Sequence, residues 1–316
     1  MFLHILTSVT MRTTEKCLLA HFYISVLFVV GFCQGKDFFS DNALQLPESY
    51  KIAWMEAIDD HKFISDITIP GTHDTMARHG GPEAECQAWD LEDQLNAGIR
   101  YLDLHLFALK GHLYVMHGIV YEHKSFNEVL KTIKDFLLEF KSETVLISVK
   151  SALFGKATVL ELVGKIINDD KDVWVKPDMP TMGKARGKVI FVQAPSFKLG
   201  VPLLETDNQG DYKVHHIAAK EKKIATHLSE ASGQCGKDAV VLSSSSGTGF
   251  GTLIGMFLTP KKVAKEINPW LDKHLRQLSD NHKCFGVIAM DFPGFDLIQT
   301  IIKLNLHFPI PSKLKF

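Results

Sequence analysis

Short apolar runs that alternate with amphipathic segments constrain this chain more than any other feature of its sequence. The runs lie at 67–70, 101–106, 113–117, 144–150, 188–194, 239–243 and 286–291, with a weaker one near 212–216. Their Val, Ile and Leu content is typical of strands buried on both faces. Helical periodicity marks 125–141, 158–168, 261–278 and 296–304. Alternating strands and helices indicate a parallel sheet, and the number of strands predicts an α/β fold, a distorted TIM-type (β/α)8 barrel in a single domain.

The N-terminal 35 residues predict a secretory signal peptide. Arg12 and Lys16 precede an apolar run at 17–33, and the small residues Cys33 and Gly35 close it. A basic start, an apolar centre and small residues at the exit are the pattern of a cleaved signal. The alternative is an uncleaved anchor, although the run is shorter than the ~20 residues that a span prefers. We expect 1–35 to be removed and 36–316 to be a secreted or extracellular catalytic barrel, with association at a membrane surface left open.

Composition and cysteine content narrow the class further. Hydrophobic residues make up 46% and charged residues 22% of the chain, which excludes disorder as the main state and a coiled coil. A net charge of -1 argues against a nucleic-acid-binding protein, because such proteins usually present a basic face. Beyond residue 35 the cysteines are Cys86, Cys235 and Cys284. In a secreted chain two of them could form a disulfide, but the sequence does not indicate which two. The sequence also does not determine the oligomeric state, and we expect a monomer.

Polar residues at the ends of the predicted strands are the candidate functional groups. They are His73, Asp74, Asp103, His105, His117, Lys150 and Asp291. Barrel enzymes hold their chemistry at the carboxyl ends of the strands, so we expect these side chains to meet at one rim. Two histidines suit paired general acid and base catalysis near neutral pH. A single histidine would more simply have a structural role, but the whole group of polar residues at the strand ends predicts a catalytic centre.

At these residues the sequence resembles the phosphatidylinositol-specific phospholipase C X-domain family, in its compact bacterial-like branch. The matching segments are IPGTHD at 69–74, GIRYLD at 98–103, MHG at 116–118, ETVLISVK at 143–150, ARGK at 185–188 and AMDFP at 289–293. The IPGTHD and HG motifs lie about 43 residues apart and flank the GIRYLD strand, which makes their combination specific. The resemblance covers most of the chain after residue 35 and implies the same barrel fold.

The resemblance also implies an activity and a role for each residue. The reaction would cleave phosphatidylinositol, or a glycosylated inositol lipid, to diacylglycerol and an inositol phosphate through a cyclic phosphate. His73 would be the general base and His117 the general acid, with Asp291 orienting the base and Asp74 supporting the acid. Lys150, Tyr212 and Asp211 would contact the inositol phosphate, and Asp103 and His105 would complete the catalytic set.

His105 departs from the bacterial-type pattern, which has an arginine two residues after the aspartate of that strand. A neutral imidazole cannot replace a permanently charged, bidentate guanidinium, whereas a protonated one replaces it in part, which predicts activity that favours acidic pH. A second family arginine is absent, since the fifth strand ends in Val192, Gln193 and Ala194.

No metal or other cofactor is expected. In the calcium-dependent branch, calcium ligands occupy the positions of Asp74, Asp103, His105 and Lys150. Calcium prefers six to eight oxygen ligands, so a lysine and a histidine argue against it. A softer divalent ion on Asp74, Asp103 and His105 stays open.

Phe250 is the candidate membrane contact. It lies in 243–257, a segment of small and apolar residues that matches a lipid-contacting loop of the family; the alternative is the start of a buried helix.

The expected partner of the chain is an inositol phospholipid at a membrane surface, and no protein partner is inferable. Two other functions stay in view: a catalytically weak barrel that binds lipid head groups or glycans, and a metal-dependent lipid diesterase such as the glycerophosphodiester type. The latter needs a Glu–Asp metal set that the residues around His73 do not supply.

Overall fold

Seven parallel strands close into a barrel in the part of the chain that can be described. The computed structural model describes residues 36–193, 197, 199–207, 211–278 and 284–306, so the predicted signal peptide at 1–35 lies outside the described residues. The strands are β1 Ile69–Thr72, β2 Tyr101–Leu109, β3 His112–His117, β4 Val120–Ser125, β5 Val145–Ser151, β6 Val173–Trp174, β7 Val189–Gln193, β8 Val201–Glu205, β9 Val240–Ser244 and β10 Val287–Met290. The barrel order is β1-β10-β9-β8-β7-β5-β2, and β2 pairs back to β1.

Helices pack around this barrel. They are α1 Leu91–Ala97, α2 Phe126–Glu139, α3 Lys156–Ile167, α4 Met182–Ala185, α5 Ile217–Gln234, α6 Pro260–Leu278 and α7 Phe295–Lys303, with short 3-10 helices at Trp54–Ala57 and Ile64–Asp66. Helix α2 begins with a capping box, because Ser125 Oγ accepts from the Glu128 amide and the Glu128 carboxylate accepts from the Ser125 amide. Among the described residues, no helix is both long enough and apolar enough to cross a bilayer.

The predicted TIM-type barrel is confirmed, and its strand registers align the polar residues at one rim. Thr72 of β1 lies opposite Met290 of β10, and His105 of β2 lies opposite Lys150 of β5. Parallel pairing places the carboxyl ends of these strands at the same edge of the sheet. The residues that end or follow β1, β2, β5 and β10 therefore share one rim.

The strand that carries His117 differs from the prediction. We expected 113–117 to be a barrel strand, but β3 pairs antiparallel with β2, and β4 pairs antiparallel with β3. The two-residue turn Lys110-Gly111 has positive φ at both residues, 50° and 81°, which is the geometry of a type I′ hairpin. β2 continues past the barrel to Leu109, and β3 returns toward it, so His117 reaches the rim from above.

The weak strand expected near 212–216 does not form. Within this segment Lys213 forms an isolated bridge with Thr248, which lies outside the strands, and α5 begins immediately after the segment. Seven strands rather than eight therefore close the barrel of the described residues. The predicted strand at 188–194 is present as β7, although its last residue lies outside the described part.

A disulfide links Cys235 to Cys284, with Cα atoms 5.8 Å apart and a sequence separation of 49. Cys86 is the free and buried cysteine of the described residues. The bond ties the end of α5 to the residues that lead into β10. The pairing that the sequence left open is thereby assigned.

The first described residues pack against the segment that follows β10. The amide of Asp37 donates to the Asp296 carboxylate at 2.7 Å, and the amide of Gly294 donates to the Phe38 carbonyl at 2.9 Å. A Cβ on Gly294 would lie 2.4 Å from the Asp37 carbonyl oxygen, so this close approach requires glycine. These contacts support the backbone just beyond the β10 end of the rim.

Candidate active site

The centre of the site forms where β1 and β10 end side by side. His73 follows β1 and Asp291 follows β10, and His73 Nδ1 lies 2.9 Å from Asp291 Oδ1. Gln87 Nε2 donates to the carbonyls of both His73 and Met290, at 2.7 and 2.9 Å. One glutamine thus fixes the backbone of both strand ends. The predicted pairing of His73 with Asp291 is present in the structure.

Asp74 connects three histidines. Its Oδ2 lies 3.4 Å from His73 Nε2 and 3.2 Å from His117 Nε2, and its Oδ1 lies 3.4 Å from His105 Nε2. Its backbone is left-handed, with φ of 39°, which is uncommon for a residue other than glycine and recurs at functional sites. That turn directs a nearly buried carboxylate between side chains from three different strand ends.

A second group of charges lies on β2 and β5. Asp103 Oδ1 is 3.2 Å from Lys150 Nζ and 3.9 Å from His105 Nε2. Asp103 and His105 are two residues apart on β2, so their side chains share one face of the strand. Lys150 lies on the neighbouring strand, in register with His105. The sequence prediction that these residues meet at the rim agrees with this geometry.

The electrostatics of the cluster stabilise its ions. Burial works against the charge on His73, but the carboxylates of Asp74 and Asp291 outweigh it and raise the pKa of His73 to about 9. Burial likewise opposes ionisation of Asp74, yet His73, His105 and His117 hold its pKa well below the usual range. Burial disfavours the ammonium of Lys150, but Asp103 raises the pKa of Lys150 above its ordinary value. At neutral pH the site therefore holds ionised carboxylates beside a protonated His73.

Tyr212 lies beside the base, and its ring centroid is 5.1 Å from that of His73 with a 41° angle between the planes. The side chain is in place to support a flat or puckered ring above His73. Asp211 is arranged differently, because its carboxylate contacts Lys223 Nζ at 2.6 Å and His227 Nε2 at 3.2 Å. These ion pairs direct it toward α5, and its contact with a substrate hydroxyl stays a prediction.

Phe250 and its apolar neighbours lie in turns that precede α6, rather than inside a helix. Phe250 is 57% exposed and Leu253 is 93% exposed; Ile254, Met256 and Phe257 are also exposed. Lys213 Nζ donates to the Phe250 carbonyl at 2.8 Å. The loop follows β9, so it lies on the same rim as the histidines.

Several residues of the site were not found in the sequence. Gln87 and Asn268 hold the backbone of the strand ends, since Asn268 Nδ2 donates to the carbonyls of Asp291 and Phe292 at 3.0 Å. Both residues lie far from β1 and β10 in sequence and show no pattern that marks them. Glu205 ends β8, so the strand-end rule that found Lys150 could have found it.

Metal-ligating side chains form two overlapping groups among the described residues. Donor atoms of Asp74, Asp103 and His105 lie within 4.8 Å of one another, and so do donor atoms of His73, Asp74 and Cys86. The first group is the one that the sequence left open for a softer divalent ion. Lys150 Nζ lies 3.2 Å from the Asp103 carboxylate of that group, so a fixed cation already neutralises it.

Taken together, the geometry suits transfer of protons at two points. The Nε2 atoms of His73 and His117 both contact Asp74 Oδ2, and the two side chains are partly exposed, at 18% and 22%. A histidine pair of this kind can deprotonate an attacking hydroxyl and protonate a leaving oxygen. His105 and Lys150 lie beside the pair, and the ammonium of Lys150 can offset negative charge on a phosphoryl group.

Comparison with known proteins agrees with this geometry. Residues 61–194 match the family described as phosphatidylinositol-specific phospholipase C, X domain. The chain is 28% identical over 309 residues to a 1-phosphatidylinositol phosphodiesterase of Listeria monocytogenes, which covers 89% of this chain and 94% of that protein. A protein of the same name from Staphylococcus aureus is 22% identical over 338 residues, covering 92% of this chain and 99% of its own length.

Solved structures extend the comparison to the fold. The phosphatidylinositol-specific phospholipase C of Listeria monocytogenes superposes with a TM-score of 0.70 at 26% identity, covering 82% of this chain and 100% of that chain. A Staphylococcus aureus enzyme with a TM-score of 0.68 and 21% identity has the same fold over 80% of this chain and 96% of its own. The resemblance that the sequence motifs indicated is confirmed.

Proposed function

We propose, from the match of residues 61–194 to the phosphatidylinositol-specific phospholipase C X domain, that this chain is a phosphoric diester hydrolase of lipid metabolism. It cleaves phosphatidylinositol, or a glycosylated inositol lipid, to diacylglycerol and inositol phosphate through a cyclic phosphate. The observation that carries the proposal is the position of His73 and His117 on one carboxylate, at 3.4 and 3.2 Å from Asp74 Oδ2, with Asp291 on the far nitrogen of His73.

In the first step His73 Nε2, in its neutral form, takes the proton of the inositol 2-hydroxyl. That oxygen attacks phosphorus and forms the new P–O bond of the cyclic phosphate. The P–O bond to diacylglycerol breaks, and protonated His117 gives its proton to the departing oxygen. Asp291 keeps the Nδ1 proton of His73 in place and stabilises the imidazolium that forms, as a carboxylate does behind a catalytic histidine.

In the second step the roles reverse. Neutral His117 takes a proton from water, whose oxygen attacks the cyclic phosphate. The bond to the inositol 2-oxygen breaks, and His73 returns its proton to that oxygen. Both histidines end in their starting forms, so the pair completes a cycle. Asp74 contacts both rings and favours whichever one is protonated.

Negative charge that develops on phosphorus needs a cation, and His105 and Lys150 supply it in this proposal. His105 Nε2 is 3.4 Å from Asp74 Oδ1, and Lys150 Nζ is 3.2 Å from Asp103 Oδ1. An imidazolium donates one hydrogen bond per nitrogen, whereas the guanidinium found in bacterial-type relatives donates a planar pair. His105 can therefore replace that guanidinium only in part, and Tyr212 and Asp211 are proposed to contact the inositol ring.

The proposal places the reaction at a membrane surface outside the cell. The exposed loop with Phe250 at its start contacts lipid, and removal of residues 1–35 delivers 36–316 as a secreted monomer. Catalysis is proposed to need no metal, because His73 and His117 supply both proton transfers and Lys150 supplies a permanent cation.

The test is cleavage of phosphatidylinositol vesicles by the purified protein, with and without a chelator. We expect turnover in both conditions, and a loss of ~10² or more in His73→Ala and in His117→Ala, the usual scale for losing a general acid or base. His79→Ala is the matched control, since His79 is exposed and lies outside the cluster. Equal turnover in wild type and His73→Ala would contradict the mechanism, and a strict calcium requirement would contradict its metal-free form.

One observation favours a second candidate, a barrel that binds head groups with little turnover. His105 stands at the position of a family arginine, and β7 ends in Gln193 rather than in an arginine. The same vesicles distinguish the two, because a pure binder would sediment with phosphatidylinositol vesicles and release no inositol phosphate.

A further inference from the structure

We propose that His73, Asp74 and Cys86 form a site for a soft divalent cation, with Zn²⁺ as the fitting ion, and that its occupation inhibits the enzyme. The binding part stands on the donor atoms alone, whereas the inhibition rests on the proposed function. The site differs from the Asp74, Asp103 and His105 group, although both use the Asp74 carboxylate.

Cys86 is held rigidly next to the base. Its amide donates to the Ala77 carbonyl at 2.9 Å, and its carbonyl accepts from the Phe292 amide at 2.9 Å. These two bonds fix it between the loop after β1 and the loop after β10. The thiol is fully buried, lies outside the disulfide, and hydrogen-bonds with the Tyr212 hydroxyl.

The three donors have the chemistry and spacing of a zinc site. A ring nitrogen of His73, a carboxylate oxygen of Asp74 and Sγ of Cys86 lie within 4.8 Å of one another. Zinc bonds of 2.0–2.3 Å place tetrahedral ligands about 3.3–3.8 Å apart. The 3.4 Å between His73 Nε2 and Asp74 Oδ2 already fits that edge, so the thiol needs to move by about 1 Å or less. Three protein ligands would leave a fourth position for water.

The surroundings of His73 match those of a metal-bound histidine. Its Nδ1 faces Asp291 Oδ1 at 2.9 Å, and Asp291 Oδ2 in turn accepts from the Gly247 amide at 3.3 Å. A carboxylate on the far nitrogen is the usual support of a zinc-ligating histidine, because it fixes the tautomer and raises ligand basicity. The group that orients the proposed base also prepares it to bind a cation through Nε2.

The donor set also selects the ion. A thiolate favours soft or borderline metals, whereas calcium and magnesium prefer oxygen donors. The alternative group on Asp103 competes poorly for any cation, since Lys150 Nζ lies 3.2 Å from that carboxylate. The soft site contains no lysine or arginine contact to its three donors among the contacts of the described residues.

Occupation removes the base from the reaction. Binding releases the thiol proton of Cys86 and the Nε2 proton of His73 to solvent, and the metal takes both electron pairs. His73 Nε2 can then no longer accept the proton of an attacking hydroxyl. We expect the substrate-bound protein to bind the metal ion more weakly than the free protein, because the substrate must displace the ion.

Cobalt titration of the purified, untagged protein tests the site without reference to activity. We expect one Co²⁺ per chain, with a near-ultraviolet thiolate-to-cobalt charge-transfer band that Zn²⁺ abolishes. Cys86→Ser should lose the band and bind at least ~10-fold more weakly, the scale for disturbing a metal site, whereas His79→Gln should keep both. Absence of the band in wild type, or an unchanged band in Cys86→Ser, would overturn the proposal.

Inhibition is measured separately with phosphatidylinositol vesicles. Zn²⁺ should inhibit wild type, Cys86→Ser should need at least ~10-fold more Zn²⁺ for the same inhibition, and Ca²⁺ should inhibit neither. Equal sensitivity of the two proteins to Zn²⁺ would overturn the inhibitory role. A protein that binds Co²⁺ through thiolate but cleaves no phosphatidylinositol would refute the proposed function and leave the metal site intact. The wild-type cobalt spectrum decides the case even where Cys86→Ser fails to fold.

Discussion

Asp291→Asn removes one charge behind His73 while it keeps the shape of the side chain. Asp291 Oδ1 lies 2.9 Å from His73 Nδ1, and an amide oxygen at the same place still accepts that proton. What is lost is the carboxylate charge, which together with Asp74 raises the pKa of His73 from 6.5 to about 9. The variant therefore separates the electrostatic role of Asp291 from its positioning role.

The expected magnitude follows from the protonation of the base. With a pKa of about 9, about one His73 in a hundred is neutral at pH 7 and able to act as a base. The neutral fraction of His73, and with it the rate of proton abstraction, should therefore rise with pH up to the pKa of His73, which opposes the acidic preference expected from His105. An opposite charge at this range changes a pKa by roughly 1 to 3, so loss of Asp291 should move this rise toward acid by roughly 1 to 3 pH units. The plateau should fall by roughly 10² to 10⁴, because the imidazolium that forms loses its counter-charge.

The assay is the initial rate of inositol phosphate release from phosphatidylinositol vesicles between pH 5 and 10, expressed as kcat/KM. Asp135→Asn is the matched control, since Asp135 is exposed and pairs with Lys131 on the surface of α2. It should leave both the plateau and the position of the rise unchanged. A fall in the plateau with no movement of the rise would refute the claim that Asp291 sets the protonation of His73.

Three further outcomes are expected. His105→Arg should raise kcat/KM at neutral pH several-fold, because a guanidinium stays charged where an imidazole titrates; an unchanged rate in the vesicle assay would show that His105 does not face the phosphate. Burial lowers the pKa of Lys220 from 10.5 to about 8. Between pH 8 and 10.5 Lys220 is therefore protonated in the unfolded chain but largely neutral in the folded chain. As the pH rises through this range, the free energy of unfolding should increase by about 3 kcal/mol because of Lys220. Between pH 8 and 10 the free energy of unfolding, measured with urea, should rise by about 2 kcal/mol more in wild type than in Lys220→Met, and equal changes in the two proteins would contradict this contribution. Replacing Cys235 and Cys284 with serine should lower the free energy of unfolding by about 4 kcal/mol for a loop of 49 residues, and a change below about 1 kcal/mol would contradict that contribution.

The barrel could be predicted because its strands are short apolar runs that end in polar residues. Ile69–Thr72 and Val287–Met290 are buried at every position, and the polar residue that follows each one is part of the site. Such runs identify parallel strands without any knowledge of their partners. That is why His73, Lys150 and Asp291 could be assigned to one rim from their sequence positions.

The path of His117 and the helix α5 could not be predicted in the same way. A strand of a hairpin and a strand of a barrel have the same alternation, and the turn at Lys110-Gly111 decides between them through its positive φ. The buried positions of α5 are spaced widely, at Ile224, Leu228 and Ala231 among others, which gives a weak apolar period. Neither feature is visible without the tertiary contacts.

The central place of Asp74 also depended on the fold. From the sequence, Asp74 was expected to support only the general acid, His117. In the structure its left-handed backbone places its carboxylate next to His73, His105 and His117. The conformation of one residue therefore places a single carboxylate in contact with three imidazole rings. Cys86 was noted only as a possible disulfide partner, and its position beside His73 arises from two backbone hydrogen bonds to other loops.

The N-terminal stretch from Asp37 to Ser40 connects the predicted removal of residues 1–35 with the proposed chemistry. Its backbone holds Phe292, Gly294 and Asp296, which follow the carboxylate that orients the base. A leader cut after residue 35 preserves every one of these contacts. Loss of residues 37–40 would break the contacts that support the segment after Asp291, so the predicted cleavage preserves them only if it occurs before Asp37.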